Sequence, residues 1–291
     1  MLKGSIVAIV TPMFEDGRVD YDGLDKLVSF HVDNKTDGIV SVGTSGESAT
    51  MDIDEQIEVI AKTVEMANGR IPIIAGTGAN STMEALELTS RAAPLGVEAC
   101  LLVVPYYNKP TQRGLYEHFK LLAEKVDIPQ ILYNVPGRTS LDMENDTVVE
   151  LSKIANITGI KDASADISRV ADFADRCAPG FMLYSGDDAT TLDFIKAGGH
   201  GCISVTANVA PAKMHEMCQA ALSGDMDKAE TLNAQLDGLH TSLFIESNPI
   251  PAKWAVSELG FMSKGIRLPL TEFSSEYHQA VRDAMVAAQV S

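Results

Sequence analysis

Basic residues are scarce in this chain. Over 291 residues, 23 Lys and Arg stand against 40 Asp and Glu, a formal net charge of −17. So acidic a surface argues against nucleic acid and against an anionic membrane as partners. It leaves room for a small anionic ligand, because one pocket can be basic inside an acidic protein. Cysteine is rare too: Cys100, Cys177, Cys202 and Cys218 form no CxxC, which removes zinc ribbons and thioredoxin-like redox chemistry. Cys100 and Cys202 fall in apolar runs and read as small core residues. The six histidines are scattered, and none is spaced with a ligand partner at a strand end. His215 and Cys218 share helical spacing, but no second pair completes a metal site, so none is expected. No apolar run approaches membrane-spanning length. The opening Met1-Leu2-Lys3-Gly4 leads straight into an apolar strand without a signal-peptide pattern, so a cytoplasmic protein is expected.

What the chain does have is rhythm. Apolar runs rich in Val, Ile and Leu lie at 5–10, 38–42, 71–75, 99–104, 130–133, 157–160, 181–184 and 202–205. They show little polar alternation, as expected of strands buried on both faces of a parallel sheet. Amphipathic stretches at 21–34, 53–67, 82–93, 115–125, 145–154, 168–176 and 189–197 separate them. Regular alternation of this kind predicts βαβ units, and eight of them an α/β protein of the (β/α)8 TIM-barrel class. A doubly wound sheet usually carries a glycine fingerprint after its first strand. Here that turn is Thr11-Pro12-Met13-Phe14. Gly76-Thr77-Gly78 and Gly198-Gly199-His200-Gly201 lack dinucleotide or P-loop spacing. Further helices at 211–222, 225–240, 249–259 and 274–288 read as a C-terminal helical extension. The boundary falls at 224, with the barrel over 1–224 and a helical region over 225–291.

Barrel chemistry sits at the C-terminal ends of the strands. Lys161 stands out there, directly after the apolar Ile157-Thr158-Gly159-Ile160. A lysine at the end of a buried strand loses solvation, which disfavours its charged form and frees an amine to attack a ketone. The bland alternative is a lysine that snorkels to water or pairs with Asp162. After the second strand, Gly43-Thr44-Ser45-Gly46 can form a backbone nest for a carboxylate. Equally, it can be a turn in which Ser45 or Ser48 caps the next helix. It is no hydrolase nucleophile elbow, since Glu47 stands where G-x-S-x-G needs glycine. Tyr133 ends the fifth strand, one strand from Lys161, where a phenol can move protons. It can also be a plain core tyrosine. Arg138 follows on a loop, either gripping a carboxylate or solvated. Glu47, Asp187 and Asp188 can hold magnesium only beside a phosphate cradle, which the sequence does not supply.

Gly43-Thr44-Ser45-Gly46-Glu47, then Tyr133-Asn134-Val135-Pro136-Gly137-Arg138-Thr139, then Gly159-Ile160-Lys161-Asp162, in that order, resemble the pyruvate-dependent class I aldolase and lyase family. The likeness runs the length of the chain. It implies that Lys161 condenses with the ketone of pyruvate without metal or cofactor, and that Thr44 and Ser45 hold the pyruvate carboxylate. It implies a proton relay of Tyr133, Thr44 and Tyr107, with Tyr107 donated by a neighbouring subunit. A dimer sharing Tyr107 follows, within a homotetramer. Arg138 would bind the carboxylate of the second substrate, aspartate semialdehyde, and Gly186 and Ile203 would line the pocket. The cyclised product would serve diaminopimelate and lysine biosynthesis. Relatives that act on sialic acid or keto-sugar acids typically lack the Gly-Arg-Thr found here. The rivals are a catabolic 2-keto-acid aldolase and a non-catalytic keto-acid-binding barrel. Ser48, Ala49, Asn80, Glu84 and Tyr106 match the family's inhibitor-site pattern. Lysine-inhibited relatives often carry histidines where this chain has Ile53 and Gln56, a departure from the pattern that goes with feedback inhibition.

Overall fold

Eight parallel strands close on themselves in sequence order. They are β1 (Gly4–Ala8), β2 (Gly38–Ser41), β3 (Ile73–Gly76), β4 (Ala99–Val103), β5 (Gln130–Asn134), β6 (Ile157–Asp162), β7 (Met182–Ser185) and β8 (Gly201–Ser204). β8 pairs with β1, which leaves no edge strand. The computed structural model describes residues 2–290. The connecting helices are α1 (Tyr21–Asp33), α2 (Ile53–Ala67), α3 (Thr82–Ala92), α4 (Gln112–Lys125), a single turn α5 (Pro136–Thr139), α6 (Asn145–Ser152), α7 (Ser168–Arg176), α8 (Thr191–Lys196) and α9 (Pro211–Ser223). After them come α10 (Met226–Ser242), α11 (Ile250–Glu258) and α12 (His278–Ala287). Among the described residues, no helix is long and apolar enough to cross a membrane.

Local chemistry sets the helix starts. Asp20, Asp52 and Thr111 accept backbone N–H groups at the openings of α1, α2 and α4. The cap of α2 is thus Asp52, not Ser45 or Ser48. Pro249 sits at the N-cap of α11 and Pro251 in its first turn, where a missing N–H goes unneeded. The predicted strand bounds lie within two residues of those seen.

Side chains alternate across each strand. Ile6, Ala8, Val40, Ile74, Leu101, Ile131, Tyr133, Met182, Tyr184 and Ile203 fill the interior. The other faces pack outward on the helices. α9 packs on β1 and β8 and completes the ring of helices around the strands. One apolar cluster runs from Val7 and Ile39 to Leu236, Trp254 and Val281, so the segment after 224 shares its core with the barrel. α10 packs on α9 and α12, and the loop before α11 returns to the barrel mouth.

Candidate active site

A cavity of about 170 Å³ opens at the C-terminal ends of the strands. Val40, Val42 and Val205 give it apolar wall, and Thr44, Ser45, Tyr133, Arg138 and Lys161 give it polar groups. Lys161 belongs to β6 itself, which runs two residues beyond the predicted end. It is only 5% exposed. Its Nζ lies 4.3 Å from the centre of the Tyr133 ring, within cation–π range. Lys161 neither snorkels nor pairs with Asp162. Adjacent strand residues face opposite ways, and Asp162 turns to Arg169 at 3.4 Å and Asn134 at 3.2 Å.

Register brings Lys161 and Tyr133 together. Gln130 pairs with Ile157, but Ile131 pairs with Gly159, so Thr158 is an extra residue in β6. That irregularity sets Tyr133 directly opposite Lys161. On the other side Lys161 pairs with Tyr184 of β7. The Tyr184 hydroxyl donates to Leu2 O at 2.8 Å, away from the mouth, and burial raises its pKa above the usual phenol range.

The Gly43–Glu47 loop is held in an unusual shape. Val42 and Glu47 have φ of 58° and 61°, in the left-handed region that side chains rarely adopt. A Cβ at Gly76 would come 2.3 Å from Val42 O, so only glycine lets β3 pass this turn. Gly46 N–H and Ser48 N–H both donate to Gly43 O, and Glu47 N–H to Thr44 O. The N–H groups of Thr44 and Ser45 donate to no protein acceptor among the described residues. Two free amides beside two hydroxyls are the donors that an anion nest would require.

The C-terminal segment braces this loop, which sequence reading missed. Glu47 forms a buried ion pair with Lys253 of α11, and its second oxygen accepts Arg267 N–H at 3.0 Å. Burial pulls the Lys253 amine below its usual range, opposed by the Glu47 charge. Asn248 Nδ2 donates to Ser45 Oγ at 2.9 Å, and Asn248 O accepts from Arg138 Nη2 at 3.0 Å. A signal for Lys253 existed: it is the one cation in the apolar stretch Pro249-Ile250-Pro251-Ala252-Lys253-Trp254-Ala255-Val256. Nothing local marked Asn248.

Other expectations divide. Arg138 is exposed at the cavity, but on the helical turn α5, not on a loop. Gly186 lines the cavity, and a Cβ there would lie 3.0 Å from Lys161 Cε. Ile203 is buried in the interior cluster, and Val205, just beyond the end of β8, lines the cavity. Tyr107 is 90% exposed with φ of 71°, and it does not line the cavity of its own chain.

Glu47 is neutralised by Lys253. Asp187 accepts from Thr190 N and Oγ1, and Asp188 from Val205 N and Thr206 N. One oxygen of each aspartate is thus engaged by the protein itself. His215 Nδ1 lies 3.0 Å from Asp37 and Cys218 Sγ 3.8 Å from Cys202.

Ser48 lines the cavity and Ala49 is exposed beside it. Asn80 O accepts from Asn108 Nδ2 at 2.8 Å, which ties the β3–α3 and β4–α4 loops together. Burial, and secondarily the Glu84 charge, raises the Tyr106 phenol pKa. Gln56 is buried, and its amide donates to Met51 O and Ser48 O.

Comparison with known proteins gives a consistent answer. The family model described as the dihydrodipicolinate synthetase family matches residues 1–288. A protein of Thioalkalivibrio sulfidiphilus named 4-hydroxy-tetrahydrodipicolinate synthase is 59% identical over 291 residues, covering 100% of this chain and 99% of its own. One of the same name from Methylococcus capsulatus is 58% identical over 290 residues, covering 100% of both. Among solved structures, the chloride-inhibited dihydrodipicolinate synthase of Acinetobacter baumannii complexed with pyruvate superposes with a TM-score of 0.98 at 52% identity, covering 100% of both chains. That of Aquifex aeolicus gives 0.96 at 46% identity, covering 99% of this chain and 98% of its own.

Proposed function

The chain belongs to the dihydrodipicolinate synthetase family, and on that premise we propose how its residues share out the reaction. The enzyme is a lyase that condenses pyruvate with L-aspartate 4-semialdehyde to 4-hydroxy-tetrahydrodipicolinate, in diaminopimelate and lysine biosynthesis.

Lys161 is the nucleophile. Its amine adds to C2 of pyruvate, and loss of water leaves a protonated imine. That imine is the electron sink that metal-free chemistry needs, so C3 can give up a proton and become an enamine. The enamine carbon attacks the aldehyde carbon of the second substrate, and the aldehyde oxygen takes a proton to become the hydroxyl. The substrate's own amine then attacks C2, the ring closes, and Lys161 leaves as the free amine.

Each remaining group follows a charge or a proton. The free N–H groups and hydroxyls of Thr44 and Ser45 suit the pyruvate carboxylate. Arg138, the second cation on the wall, suits the carboxylate of aspartate semialdehyde. Tyr133 and Thr44, at the same cavity, relay protons. Tyr107 completes the relay from a second copy of the chain, because its outward position keeps it from its own cavity. The active form is then at least a dimer, in a homotetramer. Gly186 leaves the space in which Lys161 swings. Ser48, Ala49, Asn80, Glu84 and Tyr106 form the effector site, weakened because Gln56 spends its amide on backbone carbonyls.

One observation carries this reading: a buried amine without a carboxylate partner among the described residues, stacked on a phenol ring at the mouth of a closed barrel, beside an anion nest. Borohydride reduction in the presence of pyruvate tests it. Mass spectrometry is expected to find one reduced pyruvyl group on Lys161. A label on another residue, or none, overturns the assignment.

A further inference from the structure

Among the described residues, Asn248 alone is hydrogen-bonded to both Ser45 and Arg138. It lies in the loop before α11, buried at the cavity wall. Its side-chain amide donates to Ser45 Oγ at 2.9 Å, while its main-chain oxygen accepts from Arg138 Nη2 at 3.0 Å. The bond to Ser45 is the one hydrogen bond this side-chain amide makes among the described residues. An NH2 group can only donate, so the serine oxygen must accept. The Ser45 hydrogen is then turned away from Asn248, free for an anion in the cavity. A serine without this neighbour can point its hydrogen at any nearby acceptor.

We propose that Asn248 is a positioning residue with two separable channels: its side chain holds the Ser45 hydroxyl as a donor toward pyruvate, and its backbone holds Arg138 for the second substrate. The proposal rests on the roles given above to Ser45 and Arg138. It separates chemically, because Asn248→Ala removes the first channel and keeps the carbonyl of the second. A general packing role would disturb both ends together.

The test is steady-state kinetics on Asn248→Ala, Ser45→Ala and the double variant, with thermal melts alongside. Asn248→Ala is expected to raise KM for pyruvate about 5- to 10-fold, the worth of one oriented hydrogen bond. KM for aspartate semialdehyde stays within about twofold, inside the scatter of a distant change. In the Ser45→Ala background, Asn248→Ala adds less than about a twofold change, since the two act as one unit. An equal factor in both backgrounds, or a matching rise for the second substrate, overturns the proposal. If Ser45→Ala alone leaves the pyruvate KM unchanged, the role of Ser45 itself is wrong, a result distinct from the failure of coupling. Should Asn248→Ala unfold, the isosteric Asn248→Asp decides. Its carboxylate captures the serine hydrogen and repels the ligand, so KM for pyruvate must rise more than for Ser45→Ala; a smaller rise sinks the idea.

Discussion

Glu47 and Lys253 form an ion pair sealed from water, joining the loop after β2 to a helix 206 residues further along the chain. Two buried charges survive only together. Lys253→Met strands the Glu47 carboxylate, with Arg267 N–H as its one other partner. A loss of ~3–5 kcal/mol is expected. Adding Glu47→Gln should return part of it. Denaturant titration of the three variants measures this, and a single variant as stable as the parent would refute the pair's importance.

Arg138→Ala should leave pyruvate trapping on Lys161 intact and lower kcat/KM for aspartate semialdehyde roughly 10²-fold, the value of a charge-assisted carboxylate contact. Trapping and turnover assayed side by side check it. Equal loss of both contradicts a role confined to the second substrate.

Tyr107→Phe should slow turnover by ~10²-fold while imine formation persists, as for loss of one proton-transfer group. Mixing it with inactive Lys161→Ala subunits gives a second readout. If Tyr107 acts across the interface, hybrids regain some activity relative to either parent.

At Gly186 an added Cβ would stand 2.7 Å from Ala163 Cβ and 3.0 Å from Lys161 Cε. Gly186→Ala must therefore displace the lysine stem. Imine formation with pyruvate is expected to slow at least ~10-fold, since small misplacements of reacting atoms are costly. Unchanged trapping kinetics would show that the stem relaxes freely.

Burial holds the His31 imidazole down to about 3 from an ordinary value of 6.5, and that of His118 to about 4. The unfolded chain therefore takes up these protons first. Their contribution is complete above pH 6.5 and drains away as pH falls toward the folded values. For His31 alone the loss between pH 7 and pH 4 is ~3 kcal/mol. Tm should fall steadily below pH 6.5, and His31→Gln, which cannot titrate, should flatten that slope. Parallel pH profiles for both proteins would remove His31 as a cause.

Much of this protein was legible beforehand because its signals are local. A strand buried on both faces must be apolar throughout, so each run announced itself. Lys161 was visible as a charge ending such a run, and Thr44–Ser45 as a polar turn between glycines. Arg138 was visible only as a cation near a strand end. The helical turn that carries it was hidden because Pro136-Gly137 reads as a break. Ile203 was carried over from family likeness. Val205, at the turn that follows β8, carried no mark of its own and lines the cavity.

Composition and periodicity by themselves determined the alternating barrel, the rim where its chemistry gathers and the amine at its centre, since each depends on neighbours a few residues apart. The tertiary structure alone decided the rest. One extra residue, Thr158, set the pairing that faces Lys161 with Tyr133, and chain closure brought Asn248 and Lys253 to the nest. Contacts between residues some two hundred positions apart leave no periodic trace, because they arise only when the whole barrel has closed.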